Sequence, residues 1–272
     1  MVGFSGRDLR GLARWFGRLS VRTRAILGGG AVLLVALLVW GVLNAQQEAR
    51  LVSMDPDVIP SNPALMKFAE GAGRHVFNSH CATCHGREGQ GHNSWGVPNL
   101  TDKDYLYGDG NISDEETVAL YGIRAPNSHT AALASMPAFA RPVPYAKEPL
   151  LKPLSPDDIR DMVQYLKFRA GRPANADAAN RGAAVFADRG GCFDCHTGDG
   201  RGDPAIGAPN LVDNVWLYGD GSDKWIFDSI AFGRAGYCPA WFGKLSAAKI
   251  REVAVYIYSL SHGAAQPKPS IP

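Results

Sequence analysis

The sequence predicts a mainly α-helical protein: one N-terminal membrane-spanning helix followed by two tandem copies of a small helical fold. Three observations carry that expectation. An uncharged apolar run, "AILGGGAVLLVALLVWGVL", occupies residues 25–43. Beyond residue 66 the chain is written twice, "GRHVFNSHCATCHG" at 73–86 being answered by "GAAVFADRGGCFDCHTG" at 182–198. Finally, no stretch alternates apolar and polar residues for long enough to favour a sheet.

The apolar run has 19 residues, which suits a helix crossing a bilayer core of about 30 Å. Arg7, Arg10, Arg14, Arg18, Arg22 and Arg24 precede it against the single Asp8. The positive-inside rule therefore places residues 1–24 in the cytoplasm and the chain beyond residue 43 outside, in the periplasm if the membrane is a bacterial inner membrane. A cleaved signal peptide is the competing reading, but its cleavage site near Ala45 would put the bulky Leu43 where a small residue is needed. The formal net charge of +2 comes from this basic lead, since the remainder is slightly acidic. Basic residues cluster only beside the apolar run, which argues against nucleic-acid binding. With 46% hydrophobic and 20% charged residues the rest is globular. Residues 44–66, including "MDPDVIPSNP", lack a period and read as a linker.

The repeat sets the domains. "VPNLTDKDYLYGDG" at 97–110 matches "APNLVDNVWLYGDG" at 208–221, and from the cysteines through this motif the offset is 111 residues. "LSPDDIRDMVQYLKF" at 154–168 matches "LSAAKIREVAVYIYS" at 245–259 at an offset of 91, so the first copy carries twenty extra residues. The expected domains are 67–172 and 173–263, with a tail at 264–272. Short helical patterns lead into each cysteine pair, and a closing helix in each copy is shown by Ile159, Met162, Val163 and Leu166, and by Ile250, Val253, Ala254 and Ile257, each opened by a capping Ser. Asp109–Gly110 and Asp220–Gly221 read as turns. Domains of about 100 residues so rich in glycine have thin cores, which a large apolar prosthetic group would fill.

The chemistry lies in "CATCH" and "CFDCH". In C-x-x-C-H two thiols on a short turn add across the vinyl groups of haem, and the adjoining histidine reaches the iron. Cys81 with Cys84, and Cys192 with Cys195, are thus the expected attachment points of two covalent haem c groups, with His85 and His196 as proximal ligands. A zinc site would need four ligands in a closed set, and a redox dithiol belongs in an α/β fold. The trailing histidine in both copies, the helical context and the export signal favour haem.

On these motifs residues 67–263 resemble tandem class I cytochromes c. The resemblance implies that a glycine and a phenylalanine of the first helix pack on an aromatic of the last, which in sequence order gives Gly73, Phe77 and Tyr165, then Gly182, Phe186 and Tyr256. It also implies that Pro98 and Pro209 accept the ring N–H of the proximal histidines while Leu100 and Leu211 cover the haems. More narrowly, the paired "PNL" stretches, "GRAG-x-x-PAW" and "IREVAVYIYSL" are similar to the diheme CcoP or FixP subunit family of cbb3-type cytochrome c oxidases. The N-terminal segment departs from that family's usual acidic, Pro-Trp-rich stretch.

Two sulfur residues remain, Met136 in "SMPAF" and Cys238 in "GRAGYCPAW". Taken in sequence order, Met136 is the sixth ligand opposite His85 and Cys238 the one opposite His196, so the first iron would be His/Met and the second His/Cys. For Cys238 three readings stand open: an axial thiolate, a thiol beside a vacant or water-bound iron, and replacement by another group such as His262. His75, His80, His92 and His129 are expected at the surface or around the ligands. The expected function is that of a single-pass, membrane-anchored electron carrier, passing electrons between a periplasmic donor and a haem-containing membrane oxidase. Its partners would be lipid, other respiratory subunits and a periplasmic donor or acceptor, and it would have no catalytic residues. Two alternatives are an enzyme oxidising a sulfur compound at a His/Cys haem, which an open basic pocket beside Cys238 would support, and an acceptor for a periplasmic dehydrogenase.

Overall fold

The computed structural model describes residues 20–142 and 152–263. The expected basic lead up to residue 19, the part of the insertion at 143–151 and the tail from 264 lie outside the described residues.

Helix α1, Val21–Ser53, has 33 residues, or about 50 Å at 1.5 Å per residue. It is long and apolar enough to cross a membrane. It runs past the expected end at Leu43 because "NAQQEAR" contains neither Pro nor Gly to stop it.

Residues from Leu51 onward form one compact unit. Its elements are a 3-10 turn at Pro56–Ser61, α2 (Pro63–His80), α3 (Ala82–His85), α4 (Ile112–Tyr121), α5 (Pro156–Arg169), α6 (Ala176–Ala187), α7 (Phe193–His196), α8 (Asp223–Phe232) and α9 (Ala247–His262). The described residues contain no strand, only isolated bridges. Polar caps start the long helices. Asn62 Oδ1 accepts from Leu65 N, and Ser155 and Asp158 close a reciprocal box around Pro156. Ser246 Oγ accepts from Lys249 N at the head of α9.

The expected linker is partly core. Leu51 and Ile59 are fully buried with Leu65, Ala69, Ile112, Ala254 and Val255. Arg251 Nη1 donates to the carbonyls of Leu51 (3.0 Å) and Met54 (2.8 Å), and its Nε pairs with Glu116 Oε2 at 2.8 Å. The stretch showed no period because a 3-10 turn and a helix end bury single residues rather than a face.

The two bundles of the structure do not follow the two repeats. α2 of the first repeat packs on α9 of the second, while α5 packs on α6 across the expected boundary. Gly73 lets α2 lie on α9, since a Cβ there would stand 2.0 Å from the Glu252 carbonyl oxygen and 2.8 Å from Tyr256 Cβ. Gly182 does the same on α5, with Asp161 O at 2.2 Å and Tyr165 Cβ at 2.8 Å. The aromatic partners follow, Phe77 against Tyr256 at 5.2 Å between ring centroids and Phe186 against Tyr165 at 5.4 Å. The sequence-order assignment of Tyr165 to Phe77 and Tyr256 to Phe186 is therefore reversed.

The result is a nested chain. The first bundle combines α2, α3 and α4 with Leu245 and α9. The second is continuous in sequence between them, from Met136 and Phe139 through α5, α6 and Leu211 to α8. Its elements come in rotated order, the closing helix α5 preceding α6, the helix that leads into Cys192 and Cys195. The two bundles meet along a seam, where Asn93 and Gly219 exchange hydrogen bonds and the rings of Tyr218 and Tyr107 lie over Gly96 and Gly207.

Candidate haem sites

Each cysteine pair sits at the end of a long helix on a one-turn helix, α3 or α7, that carries the histidine at its close. Reversal after the turn uses a left-handed residue, Gly86 (φ 76°) in one copy and Thr197 (φ 62°) in the other. Thr197 tolerates it with its hydroxyl held by Asp199 Oδ1 at 2.6 Å.

His85 Nδ1 donates to the Pro98 carbonyl at 3.3 Å and His196 Nδ1 to Pro209 at 3.0 Å. That bond fixes each ring and leaves Nε2 as the free donor to a metal. Burial pushes both imidazoles below their ordinary range, against the opposing pull of the proline carbonyls, so they stay neutral at neutral pH. Burial likewise raises the thiols of Cys81 and Cys192, each to about 12. Pro98 and Leu100 line a cavity with Cys81, Cys84 and His85. Leu211 packs with Phe186 and Cys192 around the second pair.

The sulfur residues are exchanged. Met136 packs into the second bundle's cluster with Phe186 and Cys192. Cys238 lines the first cavity, beside Cys81, Cys84 and His85. Burial, then the neighbouring Cys84, raises the Cys238 thiol to about 11. The order-based placement of Met136 beside His85 and of Cys238 beside His196 is not what the structure holds: Cys238 lies with His85 and Met136 with Cys192.

Two matching bridges place them. Ile123 and Cys238 exchange main-chain hydrogen bonds of 2.9 and 3.1 Å, and Met136 and Arg234 exchange a pair of the same lengths. Past each sulfur the chain lies along a helix end, Trp241 N bonding Ala119 O and Phe139 N bonding Ile230 O. Gly122 and Gly233 precede these bridges at φ 69° and 72°. A Cβ on either would stand 2.4 Å from the carbonyl oxygen of Cys238 or of Met136.

Two site residues, Arg124 and Glu115, carried no signal in the sequence. Arg124, left-handed at φ 52°, donates to the carbonyls of Gly236 and Ala134, each two residues before a sulfur, and to Tyr107 Oη. With its guanidinium engaged in this way, it does not form an open basic pocket beside Cys238. Glu115 lines the same cavity. Arg234 stacks over Tyr218 at 4.3 Å, and its buried Nη2 has no partner among the described residues. Of the histidines, His262 stacks on Tyr258 at 4.0 Å and His92 on Trp95 at 4.2 Å, while His80 tilts against Trp241.

These features fit haem. Two thiols and a ring-fixed neutral histidine line a mostly apolar cavity in the first site, a sulfur residue packs into each bundle from the other repeat, and Arg234, whose main chain bridges Met136, keeps a buried guanidinium nitrogen without a partner among the described residues, able to meet an anionic group such as a propionate. Among the described residues no three His, Cys, Asp or Glu side chains converge on a common metal point. Fold and sites together define a diheme c-type cytochrome.

Residues 71–168 match the family described as Cytochrome c, and residues 177–257 that described as Cytochrome C oxidase, cbb3-type, subunit III. Among similar proteins is the cbb3-type cytochrome c oxidase subunit CcoP of Rhodobacter capsulatus, 39% identical over 81% of this chain and 72% of its own. CcoP of Cereibacter sphaeroides is 36% identical over 81% and 71%, and FixP of Rhizobium meliloti 31% over 90% and 80%. The chain belongs to the CcoP/FixP family of cbb3-type oxidase subunits, and as such carries two covalently bound haem c groups.

Proposed function

We propose that this protein is the membrane-anchored diheme subunit that feeds single electrons to the catalytic part of a cbb3-type cytochrome c oxidase. The observation that carries the reading is the pair of C-x-x-C-H turns, each with its histidine ring fixed by a proline carbonyl. Haem supplies a reversible one-electron couple, and the protein needs no acid-base machinery for that step. The chain's residues hold, orient and shield. Cys81 and Cys84 would anchor one group and Cys192 and Cys195 the other; His85 and His196 would offer Nε2 to the irons, and Met136 would face the second site. Leu100 and Leu211 exclude water, and the Tyr107–Tyr218 seam keeps the two bundles in contact. Helix α1 anchors the chain in the inner membrane with the haem bundles in the periplasm, where a soluble carrier is the donor.

Purification of the native membrane complex tests this reading. The chain should co-purify with an oxidase catalytic subunit and retain two haems after acid-acetone extraction. One haem per chain, or isolation with a dehydrogenase alone, would refute it.

A further inference from the structure

We propose that Cys238 is the sixth ligand of the iron held at Cys81, Cys84 and His85, binding as a thiolate, so that the first haem is His/Cys and the second His/Met. The proposal deepens the haem assignment above and rests on it. Four observations support it. Cys238 lines the cavity that contains His85 and both attachment cysteines. Its main chain is pinned on both sides by Ile123, as Met136 is pinned by Arg234, so the two sulfurs hold equivalent posts in equivalent frames. Among the described residues its Sγ has one hydrogen-bond partner, the carbonyl of the adjacent Pro239 at 3.9 Å. Of the histidines nearby, His262 is held between Tyr105 and Tyr258, and His80, which also lines the cavity, has its ring tilted against Trp241 at the end of α2.

Coordination balances simply. The S–H bond breaks, its proton leaves to solvent, and the sulfur pair forms the Fe–S bond with no change in iron oxidation state. A thiolate pushes charge onto iron and favours the ferric state, whereas a thioether favours the ferrous. The first haem therefore has the lower potential of the two, although both sit in copies of one fold.

The test uses the full chain with its haems. In the ferric protein, electron paramagnetic resonance should show one low-spin thiolate species, and near-infrared absorption one thioether band. Cys238→Met should abolish the first, roughly double the second, and raise the lower midpoint potential while leaving the upper in place. A Cys192→Ala/Cys195→Ala chain, lacking the second attachment, should keep the thiolate signal and lose the thioether band. Loss of the thiolate signal instead would return Cys238 to the second haem. Absence of any thiolate signal in the unaltered chain, with both haems attached, would overturn the proposal and leave the electron-carrier reading standing. If either variant fails to fold, the spectrum of the unaltered protein still decides whether a thiolate is bound.

Discussion

Ile123 and Cys238 form an antiparallel main-chain bridge, N to O at 2.9 and 3.1 Å, although one lies just past the end of the first repeat's α4 and the other near the end of the second repeat. Met136 and Arg234 form its counterpart. Each sulfur is thereby delivered by one repeat into the site of the other, and the same crossing governs the closing helices. The crossing makes Phe77 and Tyr256 energetic partners and Phe77 and Tyr165 strangers.

A double-mutant cycle measures this directly. Phe77→Leu with Tyr256→Leu should show a coupling of about 0.5–1.5 kcal/mol in denaturant unfolding, the usual worth of a buried aromatic pair. Phe77→Leu with Tyr165→Leu should be additive. Coupling in the second cycle without the first would restore the order of the sequence.

Gly73→Ala and Gly182→Ala should each destabilise the protein by about 1–3 kcal/mol, because overpacking a close helix crossing forces the backbones apart. The expected readout is a lower Tm, with the Gly73 variant loosening α9 and the Gly182 variant loosening α5 in hydrogen exchange.

Arg251 ties α9 to α4 through Glu116, with side-chain exposures of 10% and 17%, and to the carbonyls of Leu51 and Met54. Arg251→Met leaves Glu116 and two carbonyls unpaired, and should cost about 3 kcal/mol or more. Glu116→Gln should cost less, since the carbonyl bonds survive. Equal costs would mean that the carbonyl bonds contribute nothing.

Hydrogen bonding from Arg189 holds Asp158 below the ordinary carboxylate range, with Ser155 adding to the effect. A depressed carboxylate contributes stability that is complete above its unfolded value of about 3.9 and is lost as pH falls through the folded value. Asp158→Asn should therefore flatten the acid limb of the stability profile below about pH 4. At neutral pH it should lower stability by about 1 kcal/mol through the weakened cap of α5. An unchanged acid limb would remove Asp158 from the account.

The anchor is tested by extraction. Carbonate or high salt should leave the chain in the membrane, and protease added outside the inner membrane should reach both bundles. A soluble form beginning near Ala45 would point to cleavage.

The haem-bearing features were legible because each is local. Two thiols and a histidine on one turn, a proline thirteen residues on, and a capped apolar helix all declare themselves within a short window. Which copy closes on which is not local. Tyr165 and Tyr256 occupy equivalent places on helices of the same pattern, so either would satisfy Phe77 as a packing partner. The crossed arrangement is marked by Gly122 and Gly233, whose left-handed turns admit the opposite sulfur segment to within contact, and by Arg124, which binds both segments. Neither glycine stands out in a sequence holding 31 of them. The stretch before Pro63 was misread for a related reason, since Leu51 and Ile59 are buried one at a time.

Nesting also orders events during synthesis. Every element of the second bundle, from Met136 to α8, is synthesised before α9, whereas Gly73 and Phe77 wait for the last helix of the fold. The first C-x-x-C-H to be made thus belongs to the bundle whose closing helix is made last. A polypeptide ending at Gly236 would contain all the parts of one bundle and lack both the thiol and the closing helix of the other.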